Sequence, residues 1–272
     1  MIDTSRYLEV RIGRAGLGNE LFPLMRAAEH SEQTGIPMQL PNWYVFKVGP
    51  YLRGERDKRN YWQFMRSRSV AESAANVWRN ASSRISPLVF EGMQNGFSDF
   101  TMPGTWHKER LRLFAKPDAI TPRSALPADY LSIHVRLGDF TRPDSPDAVS
   151  RTNVSTPISW FRRVADVARR TMDVPLLVAS DGDDDALAPL LECPNVRRWQ
   201  GRNALDDIFM LSASLGIIGS RSTFSAWGAF LGNAPMIVER GANRYLPNGT
   251  VRDDAEVSSV LDWIADAEAR RG

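Results

Sequence analysis

Cysteine is almost absent from this sequence. Cys193 stands alone among 272 residues, so no internal disulfide can form and nothing asks for an oxidising compartment. Histidine is nearly as scarce. His30, His107 and His134 are scattered, and no His/Cys cluster with metal-ligand spacing accompanies them. Long apolar runs are missing too: FMLSASLGII, from Phe209 to Ile218, falls far short of the roughly 20 residues that cross a bilayer. The opening MIDTSRYLEV lacks the basic-then-apolar pattern of a secretion signal, so a cytoplasmic location is expected. Internal repeats and low-complexity tracts are absent. So is the Gly-x-x-x-x-Gly-Lys-Ser/Thr loop of the P-loop nucleotidases.

The glycines that are present do not complete a dinucleotide fingerprint. GRAGLGN spaces Gly13, Gly16 and Gly18 as G-x-x-G-x-G rather than G-x-G-x-x-G. Where an acidic residue should end the next strand, Pro41-Asn42-Trp43 stand instead. The chain is otherwise of ordinary globular composition, 43% apolar and 24% charged. Its length suits one large domain or two modest ones. A net charge of +2 names no partner. Its distribution says more: Lys47 to Arg84 holds nine Lys/Arg against three Asp/Glu, interleaved with Tyr51, Tyr61, Trp62, Phe64 and Trp78. Such a run can bind single-stranded nucleic acid, line a groove for a sugar or lipid-phosphate acceptor, or form a solvated helical face. No nucleic-acid motif accompanies it.

The order of elements is more definite. YLEVRIG alternates as a half-buried strand, and after the glycines Leu21, Leu24, Met25 and Ala28 mark one face of a helix ending near Gly35. Asn19 is placed to cap that helix, with Glu20 in its first turn, and IPMQL reads as the next strand. Residues 69–85 fit a helix, and LVFEGMQNGFSDF reads as strand-like residues around an Asn-Gly turn. Prolines 117, 122 and 127 suggest a linker, giving an N-terminal domain over 1–122 and a C-terminal one over 123–272. Beyond it strands and helices alternate: YLSIHV, a helix from Ile158, VPLLVAS, a helix in DDDALAPLLE, VRRW, ALDDIFMLSASL, GIIGS, STFSAWGAFLG, PMIVER, and a last helix from about Asp254. This pattern predicts a parallel sheet covered on both faces.

Ligands of such sheets bind at the carboxyl ends of the strands. HVRLGD, SDGDDD and SRSTFS each sit at one. Arg136 offers a planar fork to a pyrophosphate. Ser222 and Thr223 open a helix, a natural anion site, and Asp181 can accept from ribose or a base edge. Together these suit a nucleoside diphosphate. Arg136 with Asp139 can equally be a structural ion pair. Asp181 with Asp183 can be a metal-binding Asp-x-Asp or a solvated helix cap.

Several segments then match one family in its own order. GRAGLGNELFP resembles the N-terminal Gly-Arg-Leu-Gly-Asn-Gln-Leu-Phe motif of α-1,2-fucosyltransferases. LSIHVRLGDF is similar to their His-Val-Arg-x-Gly-Asp-Tyr, and LLVASDGDDD to their Phe-Ser-Asp-Asp strand end. ALDDIFMLSASLGIIGSRSTFSAWGAFLG resembles their Asp-x-x-x-Met-Ser and Asn-Ser-Ser-Phe-Ser-Trp-Trp-Gly-Ala-Trp-Leu pair. FEGMQNGFSDF is more loosely similar to their Gly-Tyr-Trp-Gln segment. The resemblance implies an α/β fold of the GT-B kind, two Rossmann-like domains with parallel sheets facing a cleft. It also implies inverting, metal-independent transfer of fucose from GDP-fucose to a glycan or glycoconjugate. Arg136 would hold the diphosphate, with Ser222, Thr223 and Phe224 at the phosphate end and His134 and Asp181 near the nucleoside. Asn19, on the loop of Gly16 and Gly18, would approach the sugar. Glu20 and Asp139 are the candidate bases. No cofactor, metal or nucleic acid is expected, and peripheral membrane association stays open. Glu20, Arg221 and Ala226 depart from the family's Gln, Asn and Trp, which leaves the acceptor open. The competing readings are another nucleotide-sugar donor, a metal-dependent transferase using Asp181 and Asp183, and a nucleic-acid-binding protein using residues 47–84.

Overall fold

The protein is seen in a computed structural model that describes residues 7–44, 48–52, 58–69, 87–138, 140, 154–239, 251–254 and 257–271, with the backbone alone for 251–254 and 257–258. The expected helix at 69–85, apart from Ser69, and the candidate base Asp139 lie outside these residues.

The N-terminal side is a small parallel sheet against two helices. Strand β1 (Leu8–Val10) pairs in parallel with β2 (Leu88–Phe90). The expected strand IPMQL contributes one bridge, Met38 to Leu8. Helix α1 (Leu17–Thr34) begins three residues earlier than the sequence suggests. Gly16 is its N-cap in extended conformation, so Asn19 lies inside the first turn and caps nothing. The helix ends as expected at Gly35, whose φ of 72° is the left-handed conformation a C-terminal glycine supplies. The Asn-Gly signal is not a hairpin: after β2 the chain turns through Met93–Gly96 into a 3-10 turn, Gly96–Asp99. A short helix α2 (Val48–Leu52) and an unforeseen helix α3 (Gly104–Phe114) complete this side.

The C-terminal side follows the predicted alternation closely. In chain order it runs β3 (Leu131–Val135), α4 (Ile158–Thr171), β4 (Leu176–Ser180), α5 (Asp184–Leu191), β5 (Val196–Arg198), α6 (Ala204–Ser212), β6 (Ile217–Gly219), α7 (Thr223–Gly232), β7 (Met236–Glu239), β8 (Val251–Asp254) and α8 (Val257–Glu268). Strand β8 corrects the expected helix start at Asp254. All six strands are parallel, in the order β5-β4-β3-β6-β7-β8. With β3 counted first, this is the doubly wound 3-2-1-4-5-6 arrangement, and its order reverses between β3 and β6.

Both faces of that sheet are covered, which is why every residue of β3 is buried, polar Ser132 and His134 included. Ile133, Val135, Val178 and Ile218 pack with Phe161, Leu187 and Trp263 of α4, α5 and α8. Leu177, Ile217, Met236 and Val238 pack on the other face with Met210, Leu211 and Ala229 of α6 and α7. A further core joins the two sides: Leu21, Phe22 and Met25 of α1, Phe97 and Leu111 cluster with Ile208, Phe209, Trp227 and Leu231. Residues from both sides of the expected boundary at 122/123 therefore share one apolar cluster.

Candidate functional site

The reversal of strand order leaves a crevice at the carboxyl ends of β3 and β6, and a cavity of about 410 Å³ opens there. Strand β3 brings His134 and Arg136 to it, β4 brings Ser180 and Asp181, and the start of α7 brings Phe224. The first three predicted clusters do meet. The basic aromatic segment also lines it, through Lys58, Asn60, Gln63 and Phe64.

Arg136 and Asp181 are paired, Nη1 to Oδ2, at 2.6 Å, with both side chains largely buried. The other Asp181 oxygen accepts the Leu137 N–H at 2.8 Å. The carboxylate read from sequence as a ribose acceptor thus holds the guanidinium and the loop beneath it. A Cβ on Gly138 would lie 2.5 Å from Asp181 Oδ2, which explains the glycine of HVRLGD sterically. Ser220 fixes the same loop by accepting the Arg136 N–H at 2.8 Å. Arg198 pins the neighbouring one, donating from Nη2 to the carbonyls of Ser180 and Gly182.

His134 is stacked on Phe224, ring centroids 4.7 Å apart at 18°, and its Nδ1 lies 2.6 Å from Ser225 Oγ. Burial pushes its pKa down to about 4; Asp181 opposes that shift and Arg136 adds to it. A neutral imidazole therefore faces the cavity at pH 7. It offers shape and hydrogen bonding rather than charge.

The serine and threonine of SRSTFS play a different part from the one expected. Ser222 caps α7, accepting from the Ser225 N–H, and its hydroxyl also meets Ser225 Oγ. Thr223 donates to Asn19. Neither lines the main cavity; of the three predicted residues only Phe224 does. What α7 presents to an anion is the positive end of its dipole rather than side-chain hydroxyls.

The glycine loop faces a second cavity, of about 370 Å³, lined by Arg11, Gly13, Arg14, Asn19, Glu20 and Met93 among others. Glu20 is buried and accepts the N–H groups of Gly13 and Ala15, both at 2.8 Å. A candidate base on sequence grounds, it is here the residue that shapes the loop. Gly18 is needed for contact, since a Cβ there would stand 2.7 Å from Thr223 Oγ1. Gly16 has open space around it and serves as the helix cap. Asp183 caps α5 through the Ala186 N–H at 2.8 Å. It and Asp181 serve different partners.

Several lining residues were not anticipated. Trp199, Arg202, Asn203 and Asp207 follow β5. VRRW reads as a strand, and the strand-end rule that locates the other clusters extends to its own carboxyl end. The Trp199 indole N–H is buried without a protein acceptor, a donor available to an oxygen of a ligand. Asn203 caps α6 and donates to the Ala119 carbonyl, fastening the cavity wall to the segment before β3.

No family model matches this chain, and no curated protein matches it significantly. Solved structures do. The E. coli heptosyltransferase WaaC with ADP matches at 12% identity over 96% of this chain and 99% of that one, TM-score 0.51. The NodZ alpha-1,6-fucosyltransferase soaked with GDP-fucose matches at 14% identity over 85% and 94%, TM-score 0.47. POFUT1 in complex with GDP-fucose matches at 14% over 87% and 98%, TM-score 0.39. The fold is that of the GT-B glycosyltransferases, α/β with parallel sheets.

Proposed function

We propose that the chain is a glycosyltransferase that takes fucose from GDP-fucose and passes it, with inversion, to a hydroxyl of a glycan or glycoconjugate. The observation that carries this reading is the Arg136–Asp181 pair, 2.6 Å apart, in a cavity at the point where strand order reverses. Breaking the bond from sugar to diphosphate builds negative charge on the departing nucleotide. A guanidinium already oriented by a carboxylate, beside a helix N-terminus, stabilises that charge without reorganising. The neutral His134 and the unpartnered Trp199 N–H suit the nucleoside. The choice of fucose and of guanosine rests on the HVRLGD, SDGDDD and SRSTFS motifs and their resemblance to the α-1,2-fucosyltransferases.

In this reading residues 1–122 form the acceptor side and 123–272 the donor side. The second cavity, at the glycine loop, is the acceptor's approach. Asp139 keeps its candidacy as base, whereas Glu20 is assigned to the loop. An oxocarbenium-like path asks little of either. No metal is required, because charge on the diphosphate is met by Arg136.

The test is a thermal-shift series on the full chain with GDP, UDP, dTDP and ADP and their sugars, followed by assay of nucleotide release. GDP and GDP-fucose should give the largest shifts, and release should survive EDTA. A shift confined to ADP- or UDP-sugars would keep the transferase and change its donor. No shift with any nucleotide would remove the reading.

A further inference from the structure

Large apolar side chains on the surface are concentrated in one place. Among the described residues Tyr44, Val48, Tyr51, Leu52 and Trp62 are all exposed, Leu52 by 82%. Val48, Tyr51 and Leu52 share α2. Tyr44 stacks on Trp62 with centroids 5.7 Å apart, and Asn60 donates to the Tyr51 hydroxyl at 2.8 Å, so the pieces form one face. Cations are built into it. Lys58 lies over the Tyr51 ring at 5.4 Å and Lys116 over Trp62 at 5.9 Å. From Tyr44 to Ser69 the sequence holds seven Lys/Arg against two acidic residues, Glu55 and Asp57.

We propose that this face docks on an anionic phospholipid surface. Each component has its place there. Exposed Leu52 and Val48 enter the acyl boundary, tyrosine and tryptophan sit at headgroup level, and lysines meet the phosphates. The alternatives use less of the face. A nucleic acid gains nothing from a leucine and a valine held in solvent. A pyranose seeks bare ring faces, and here two of the rings carry a lysine. No helix among the described residues is long and apolar enough to cross a membrane, so the contact is peripheral. The segment that carries the face also walls the main cavity through Lys58, Asn60, Gln63 and Phe64, and docking would bring the cavity to the lipid surface. The proposal stands on the face alone and does not depend on the identity of the donor.

The test uses the full chain sedimented with vesicles of phosphatidylcholine alone or mixed with phosphatidylserine. Binding is expected to the serine-containing vesicles, to weaken as salt rises, and to fall at least tenfold in Leu52→Asp and in Trp62→Ser. Thermal stability and any nucleotide-induced shift serve as controls and should be unchanged in Leu52→Asp. No binding to anionic vesicles at low salt would overturn the proposal, as would equal binding by both variants. A single-stranded oligonucleotide that binds more tightly than vesicles, and whose binding both variants weaken, would overturn it in favour of nucleic acid.

Discussion

The Thr223 hydroxyl donates to the Asn19 carboxamide oxygen across 2.6 Å, joining residues 204 positions apart in the chain. Beside it the Trp227 indole N–H donates to the Gly18 carbonyl at 2.7 Å. The glycine loop is thereby seated on the first turns of α7, the helix whose start brings Phe224 to the main cavity.

Gly18→Ala should disturb this seat, because its Cβ would stand 2.7 Å from Thr223 Oγ1 and 2.9 Å from the Phe224 nitrogen. Overpacking of this kind costs about 1–3 kcal/mol. Gly16→Ala, where a Cβ meets nothing within 4 Å, loses only part of a helix cap and should cost less than about 1 kcal/mol. Urea denaturation of the two variants checks the contrast. Equal losses would contradict the packing.

Arg136→Lys keeps the charge but gives up the planar fork. Nucleotide release should fall roughly 10²- to 10³-fold, the scale seen when one preorganised donor is removed. Asp181→Asn should also slow release, since it removes the negative partner that orients Arg136. Wild-type turnover in Arg136→Lys would deprive the guanidinium of its role.

His134 makes stability depend on pH in a defined direction. Its folded pKa, about 4, lies below the ordinary histidine value of about 6.5. The unfolded chain therefore binds the proton first. Stability from this group is complete above the unfolded value and is lost as pH falls from there through about 4. Buried His107, whose pKa is also lowered by burial, adds to the same slope. Denaturation midpoints should fall between neutral and mildly acid pH, and His134→Gln should flatten the curve. An unchanged slope in that variant would contradict the assignment.

Trp227→Ala should cost about 3–5 kcal/mol, because the side chain is fully buried and touches Phe22, Phe97 and Phe100 from the other side of the chain. Thermal unfolding should be a single transition, with near- and far-ultraviolet circular dichroism coinciding. Two separated transitions would show that the shared core does not couple the halves.

The C-terminal sheet could be read closely from sequence because its strands are buried on both faces. Apolar runs such as LLVAS and PMIVE, bounded by turn residues, have one interpretation when helices of matching length lie between them. The N-terminal side gave fewer signals. Helix α3 buries only His107 and Leu111, too little to print a periodic stripe on TWHKERLRLF. The single bridge at Met38 does not distinguish IPMQL from a loop. Strand β8 leaves no strand signal ahead of the helix expected from about Asp254, because VRDD lacks apolar alternation.

At the site, strand ends located His134, Arg136 and Asp181 because topology alone brings them together. Hydrogen-bond allocation was not visible. Nothing local in SRSTFS reveals that the Thr223 hydroxyl is given to Asn19. Nothing in NELFP shows Glu20 turned back onto Gly13 and Ala15. The Thr223–Asn19 pairing joins distant segments, and sequence spacing carries no record of it; the Glu20 bonds are local but depend on how the loop before the helix folds back.

Trp227 belongs to the C-terminal half by position and to the N-terminal half by packing. Exchanging the halves as cassettes, to build a chimera with a new acceptor preference, would leave this indole facing a surface that was never shaped for it. Such a graft needs the ring of Phe22, Phe97, Phe100 and Phe230 carried across as one block.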